Sequence, residues 1–443
     1  MSSRSNTNRR TAMNAIAEPP ITARAAVRPQ VEHRFDLGIK VCLAERIAQD
    51  AVSDALVYEY LAHLYKWNGL VEHGNAAKHG ATAFLQTLGL LVETLRQRGD
   101  YALPPIPISS TGLVQNGIHR LAASLATGVA PAFELDSGSD LRFDYRYFQH
   151  FDGARGRFGR TTLLKMLLRN LSLWQGQYRV ALVFPAACRR DGGQYAFDQI
   201  DASGAVLWDE LLHGPTFFLR FLLMNAYPGE AWLGLGQGAA GLARKLSEVA
   251  DPGTALQPLR FVVYLPSDPA EVGATKQRIR RHYDIGHSSL HVSDAELDSS
   301  SLALAYCSSM SDVDLLRHFN YDAPTLPKLA TLSAELPRLA QRREHCTLVG
   351  SAALELFGGR PANDLDFVGL ALPTTHPLLT SHNEYAFLFD VPLDTAGDGL
   401  DGKTFVFGVP VAPPQTVLRF KAQRAERKDL HDVATLRAAL AGH

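Results

Sequence analysis

Between Cys346 and Leu370 the chain reads CTLVGSAALELFGGRPANDLDFVGL, and this run constrains the fold more than any other. Cys346-Thr347-Leu348-Val349 is a short apolar run suited to a buried strand, and it breaks at Gly350-Ser351 into Ala352 to Phe357, which has helical composition. Ser351 is placed to cap that helix. Gly358-Gly359 stops it, Pro361 to Asn363 makes a turn, and Asp364-Leu365-Asp366-Phe367-Val368 alternates polar and apolar residues as a half-buried strand does. Side chains two apart on a strand share a face, so both carboxylates are expected on one side.

A glycine-serine turn at a helix start offers unpaired backbone N–H groups to a phosphate. Two neighbouring carboxylates opposite it suit a divalent cation that neutralises a triphosphate. Together they would place a nucleotide.

The order Gly-Ser, then Asp-x-Asp flanked by apolar residues, resembles the signature of the nucleotidyltransferase superfamily, the DNA polymerase β-like fold. The resemblance implies attack of an acceptor group on the α-phosphate of a nucleoside triphosphate, with Mg²⁺ (or Mn²⁺) held by three carboxylates. Asp364 and Asp366 would be the first two of these. Tyr385 to Val391 reads as a later strand and would supply the third in Asp390, with Asp394 as the fallback. Gly350 and Ser351 would cradle the β- and γ-phosphates, and Lys421 or Arg424 would offset charge on the departing pyrophosphate. Phe405 to Val411 reads as another strand, and Val417 to Arg424 as a helix. Lys428-Asp429-Leu430-His431-Asp432 is similar to the Lys-Asp-x-x-Asp tail that small members of the superfamily carry.

Upstream, helical spacing of apolar residues runs from Phe35 to about Arg98. Met1 to Arg28 is rich in Arg, Ser, Asn and Thr, and reads as a disordered basic tail or, less simply, a transit peptide. Leu103 to Ser109 reads as an edge strand by its prolines, and Gly112 to Gln115 as a short strand. Asn116-Gly117-Ile118-His119-Arg120 then opens the helix Leu121 to Ala126, which puts two potential cations beside a helix start. This segment resembles the ParB/sulfiredoxin-type motif, with Asn116 where Asp is usual, and implies a nucleotide-binding turn.

The middle region mixes helical patterns at Thr161 to Trp174 and Phe217 to Ala226 with strands at Tyr178 to Phe184 and Leu259 to Leu265. A basic helix, Lys276 to Arg281 with Lys276 and Arg280, precedes His287 to Asp294. That pairing would grip a phosphorylated substrate, with His291 and Asp294 as an acid–base couple. His287 and His291 lie four apart, a metal spacing only on a helix, whereas the run reads as a strand.

These patterns give an α/β (α+β) multidomain fold. The expected divisions are a tail over 1–30, a helical and ParB-like domain over 31–138, an α/β middle domain over 139–325 and a nucleotidyltransferase-like domain over 326–443, with Asn320 to Pro327 as the linker before it.

With 443 residues and a formal net charge of -1, the chain is no basic nucleic-acid coat. Its 4 cysteines lie far apart without a CxxC pair, so neither a zinc site nor a disulfide framework is indicated. No apolar run reaches the length of a membrane span, and a cytoplasmic location fits. The expected activity is Mg²⁺-dependent transfer of a nucleotidyl group from a nucleoside triphosphate to a small-molecule acceptor, with nucleic acid and membranes unlikely partners. Two alternatives stand beside it. One is a nucleotide-dependent phosphotransferase (a kinase) using Asn116, Gly117, His119 and Arg120 with the His287 to Asp294 cluster. The other is a non-catalytic nucleotide-sensing or antitoxin-like protein.

Overall fold

The computed structural model describes residues 27–72, 78–136, 140–310, 313–335, 346–369, 378–385 and 403–441. The chain forms two compact units, Met1–Gln175 and Gly176–His443. The first extends past the small-residue cluster at Asp136 to Ser139, of which 137–139 lie outside the described residues.

In the first unit the helical periodicity resolves into α1 (Leu37–Ala48), α2 (Asp54–Asn68) and α3 (Gly80–Arg98). Ser53 caps α2 by accepting from the Leu56 amide, and Gly69 ends it in the left-handed conformation at φ +71°. Ile39, Leu43, Leu56, Tyr60, Leu64, Phe84, Leu88, Val92 and Leu95 form one core. α4 (Ile118–Thr127) packs on α1 and α3, and connects β1 (Ile106–Ile108) to a parallel partner, β2 (Phe133–Leu135). The run expected as a strand at Gly112 to Gln115 makes only single bridges, Leu113 with Gln30 and Val114 with Ile108. Gln30, expected in the tail, is thereby held, its amide donating to the Gly112 carbonyl at 2.8 Å. α5 (Tyr145–His150) and α6 (Arg160–Leu171) complete the unit.

Among the described residues the second unit holds two sheets. β3 (Arg179–Val183), β4 (Gly204–Pro215), β5 (Leu256–Pro266) and β6 (Leu290–Val292) form an antiparallel sheet in the order β4-β5-β3-β6. β4, the longest strand, has no clean alternation in the sequence. It lies at the sheet edge, carries a bulge between Val206 and Trp208, and keeps its acids by pairing them: Asp209 takes Arg260 at 2.6 Å and Glu210 takes the Tyr306 hydroxyl. Helices of this part include α7 (Pro185–Asp191), α8 (Gln194–Asp201), α9 (Thr216–Ala226), α10 (Ala240–Val249), α11 (Val272–Tyr283) and α12 (Glu296–Ser309).

After α13 (Thr325–Glu335) comes a mixed sheet of β7 (Cys346–Val349), β8 (Leu365–Gly369), β9 (Leu379–Ser381), β10 (Thr404–Val406) and β11 (Val409–Val411), ordered β9-β8-β7-β11-β10. α14 (Gly350–Glu355) joins β7 to β8, which run antiparallel; α15 (Pro414–Arg424) and α16 (Arg427–Ala441) close the chain. The strand expected over Tyr385 to Val391 falls mostly outside the described residues.

Asn320 to Pro327 is not a free linker. The Asn320 amide donates to the Leu356 carbonyl at 2.8 Å, and the Thr325 hydroxyl to Glu355 at 2.9 Å. Asn225 of α9, fully buried, accepts from the Phe407 amide at 2.7 Å at the β10–β11 turn. A buried amide left without such a bond would cost about 1–3 kcal/mol, so the middle helices and the mixed sheet are bound into one packed unit.

Candidate functional site

The glycine-serine turn and the second aspartate meet as the sequence implies. Gly350 takes φ +67°, a conformation that disfavours any residue with a Cβ, and a Cβ built there would overlap the Asp366 carboxylate. The turn is therefore narrow because the carboxylate fills the space beside it. Gly350→Ala is expected to lower the unfolding free energy by more than about 2 kcal/mol, combining left-handed strain of about 1–2 kcal/mol with overpacking. Urea denaturation measures this, and an unchanged midpoint would show that the turn relaxes freely.

β8 is not half-buried. All five of its residues, Leu365 to Gly369, are buried: β7 and β9 pair along its two edges, and α14 packs on it. Asp364 lies one residue before the strand and is exposed, whereas Asp366 is only 7% exposed. One Asp366 oxygen takes His382 Nε2 at 3.1 Å, and the other Nδ1 of that ring is buried without a partner. His382, which follows β9, has no counterpart in the sequence reading.

Ser351 does not cap the helix. α14 starts at Gly350 without a side-chain cap and has only six residues. The Ser351 hydroxyl instead accepts from Arg360 Nη2 at 2.9 Å and Lys421 Nζ at 3.5 Å. Both cations are anchored by the tail: Arg360 donates to Asp432 at 2.8 Å, and Lys421 to Asp432 at 2.6 Å and Asp429 at 3.1 Å. Arg424 grips Asp429 with two nitrogens, at 2.7 and 2.8 Å. Burial alone would push the Asp429 carboxyl up, but hydrogen bonds from Arg424 and Lys421 outweigh it and hold it below its usual range. The same bond to Asp429 raises the Arg424 guanidinium. Lys421 and Arg424 are thus committed to carboxylates of the Lys-Asp-x-x-Asp segment. The cation that reaches the surface beside Ser351 is Arg360, to which the sequence reading assigned no role. A cavity of about 170 Å³ opens there, lined by Ser351, Leu354, Gly358, Gly359, Arg360, His431 and Asp432.

Glu355, 1% exposed, ties the site together from behind. It accepts from the Thr325 amide at 3.2 Å and the Ala362 amide at 2.6 Å, fixing the turn that delivers Asp364 and Asp366. For a metal, Asp364 and Asp366 offer the hard oxygens that Mg²⁺ prefers. Among the described residues no three acidic, histidine or cysteine groups are close enough to hold an ion together. Asp390 and Asp394 lie outside the described residues.

The other expected sites are built differently. Asn116 is exposed and bonds its neighbour's amide, that of Gly117, at 2.7 Å. His119 is buried, bonded through Nε2 to the Tyr60 hydroxyl at 2.9 Å and through Nδ1 to Lys78 at 3.4 Å. Burial, reinforced by Lys78, drives its pKa well below the usual value, so it does not stand as a cation. Arg120 spends its guanidinium on the Pro104 and Pro105 carbonyls at 2.6 and 2.7 Å. Behind this helix start, Asp36 is buried between Arg34 and Lys40, and burial lowers the Lys40 ammonium to about 8.

In the second unit Lys276 binds Asp294 at 3.0 Å. The expected His291–Asp294 couple is therefore not formed: Asp294 is exposed on Lys276, and His291 is buried. His287 is exposed.

No family model, no curated protein and no solved structure matches the chain. Among the described residues no helix is long and apolar enough to cross a membrane.

Proposed function

We propose that the second unit is a nucleotidyltransferase that moves a nucleoside monophosphate from a nucleoside triphosphate to a small-molecule acceptor. One observation carries this reading: Gly350 is packed against the Asp366 carboxylate, while the next residue, Ser351, is gathered in by Arg360 and Lys421. A narrow turn, a carboxylate and a small recess lined by Ser351 and Arg360 then adjoin one another.

In the reaction an acceptor oxygen forms a bond to the α-phosphorus, and the bond from that phosphorus to the α,β-bridging oxygen breaks. Pyrophosphate leaves with the electron pair, and the acceptor proton passes to a base or to water. Asp364 and Asp366, with Asp390 as the third ligand, would hold Mg²⁺ or Mn²⁺, which supplies charge neutralisation on the phosphates. Ser351 and Arg360 orient the β- and γ-phosphates by hydrogen bonds. Lys421 acts through them, and Arg424 through Asp429, as positioning residues.

Pyrophosphate release from each triphosphate, with Mg²⁺ and a panel of hydroxyl-bearing acceptors, tests the proposal. Release that requires an acceptor is the expected result. A second reading, a nucleotide sensor without turnover, is favoured by His382, whose Nε2 lies 3.1 Å from Asp366 Oδ1 and competes with a cation for that carboxylate. Triphosphate binding by calorimetry without pyrophosphate release would select it.

A further inference from the structure

The antiparallel sheet of the second unit carries a cluster that the proposed transfer does not use. Lys276 and Arg280 lie one turn apart on α11, so they share a helix face. Lys276 is spoken for: it donates to both Asp294 oxygens, at 3.0 and 3.1 Å, and to the Val292 carbonyl at 3.0 Å. Lys245 is likewise held, by Glu248 at 3.4 Å and the His287 carbonyl at 3.2 Å.

Arg280 is different. It is partly buried, its Nε is fully enclosed without a partner, and among the described residues its guanidinium makes no hydrogen bond or ion pair. A guanidinium does not escape such a position by losing its proton, and although Asp294 lies close enough to favour its charge, no acceptor oxygen is bonded to it. Beside it, His291 of β6 is 6% exposed, and its Nε2 also lacks a partner. Burial first, and then the nearby cations Lys276, Arg280 and Lys245, drive that imidazole down to about 3, so it is neutral and free to bond without carrying charge. The Tyr227 ring stands edge-on to His291 at 4.7 Å, and Trp232, 38% exposed, meets Tyr227 at 5.2 Å. Two enclosed nitrogens without partners beside the half-buried Tyr227 and the exposed Trp232 describe a polar clamp with an aromatic edge for a ring.

We propose that Arg280 and His291 form a second ligand site that takes the phosphate group of a small phosphorylated molecule, whose ring rests on Tyr227 and Trp232. A tetrahedral oxyanion has enough acceptor oxygens to meet a guanidinium and an imidazole together. Acids in the vicinity do not take this place: Asp294 and Glu248 are engaged by lysines, Asp298 has its carboxyl raised by burial, and Glu230 is exposed.

Calorimetry on the full chain with inorganic phosphate and phenyl phosphate, and phenol as the uncharged control, tests the site. Phenyl phosphate is expected to bind more tightly than inorganic phosphate, phenol not measurably, and Arg280→Met to weaken phenyl phosphate by about ten-fold or more. Arg278→Met, which removes an exposed guanidinium bonded to Gln199 at 3.2 Å on the same helix, should leave binding unchanged. So should Asp364→Ala, which separates this site from the proposed transfer centre. Removing a guanidinium that makes no hydrogen bond should not unfold the protein, but His291→Gln provides the same readout if it does. Absence of binding of either phosphate to the native protein, or binding that Arg280→Met and His291→Gln both leave intact, overturns the proposal.

Discussion

Asp366→Ala should abolish pyrophosphate release, lowering kcat by about 10³-fold or more. A carboxylate that holds a catalytic cation contributes several kcal/mol of charge stabilisation in the transition state, and each 1.4 kcal/mol is a factor of ten in rate. Asp366 also accepts from His382 and packs on Gly350, so this variant loses some stability as well. Asp364→Asn isolates the chemistry, because Asp364 is exposed and sits outside the strand. If the reading is correct, both variants keep the native circular dichroism spectrum and both lose turnover. Pyrophosphate release that survives the double change, with Mg²⁺ and triphosphate present, would overturn the assignment of the transfer reaction to these two carboxylates, whereas triphosphate binding without any release by the native protein selects the sensor.

The parts of this fold that were legible in the sequence are those where local pattern and tertiary role agree. Cys346 to Val349 is apolar because it is a central strand, and Gly350 follows because no other residue fits beside Asp366. The pattern of Asp364 to Val368 was misleading about burial. Its alternation suggested a wet face, yet the Gly350 turn closes against Asp366, whose polarity is met by His382 from the next strand's end. Such long-range partners leave no local trace, and the same holds for Glu355, whose ligands come from Thr325 and Ala362. Arg360 carried a weak signal, a cation directly after a Gly-Gly helix stop. Only the return of α16 toward α14 shows that it faces Ser351. The edge strand β4 was hidden because its acids are met by an ion pair from Arg260 and a hydrogen bond from Tyr306, both distant in sequence. His119 shows the converse error: a residue type suited to anion binding was read from its place at a helix start, but the fold buries it on Tyr60.

Lys421→Met carries the largest expected loss of stability. The ammonium is 1% exposed and sits between Asp429, 0% exposed, and Asp432, 5% exposed. Methionine matches the stem in volume, so packing is preserved while the shared counter-charge disappears. Breaking an enclosed ion pair from one side costs about 3–5 kcal/mol, and the low end applies here because Arg424 retains Asp429 and Arg360 retains Asp432. The loss should fade in acid. Asp429 is held below its usual range in the folded protein, so its contribution is complete above the unfolded value of about 4 and disappears as pH falls through the lowered folded value. Urea unfolding of native and variant protein across that range should therefore show a wide gap at pH 7 that narrows below about pH 4. A constant gap would mean that the loss does not come from the ion pair with Asp429. The same variant bears on the site itself, because Ser351 then keeps Arg360 alone. A raised KM for triphosphate with kcat little changed would identify the lysine as a positioning group for the ground state, whereas an equal fall in kcat and kcat/KM would place its charge in the transition state.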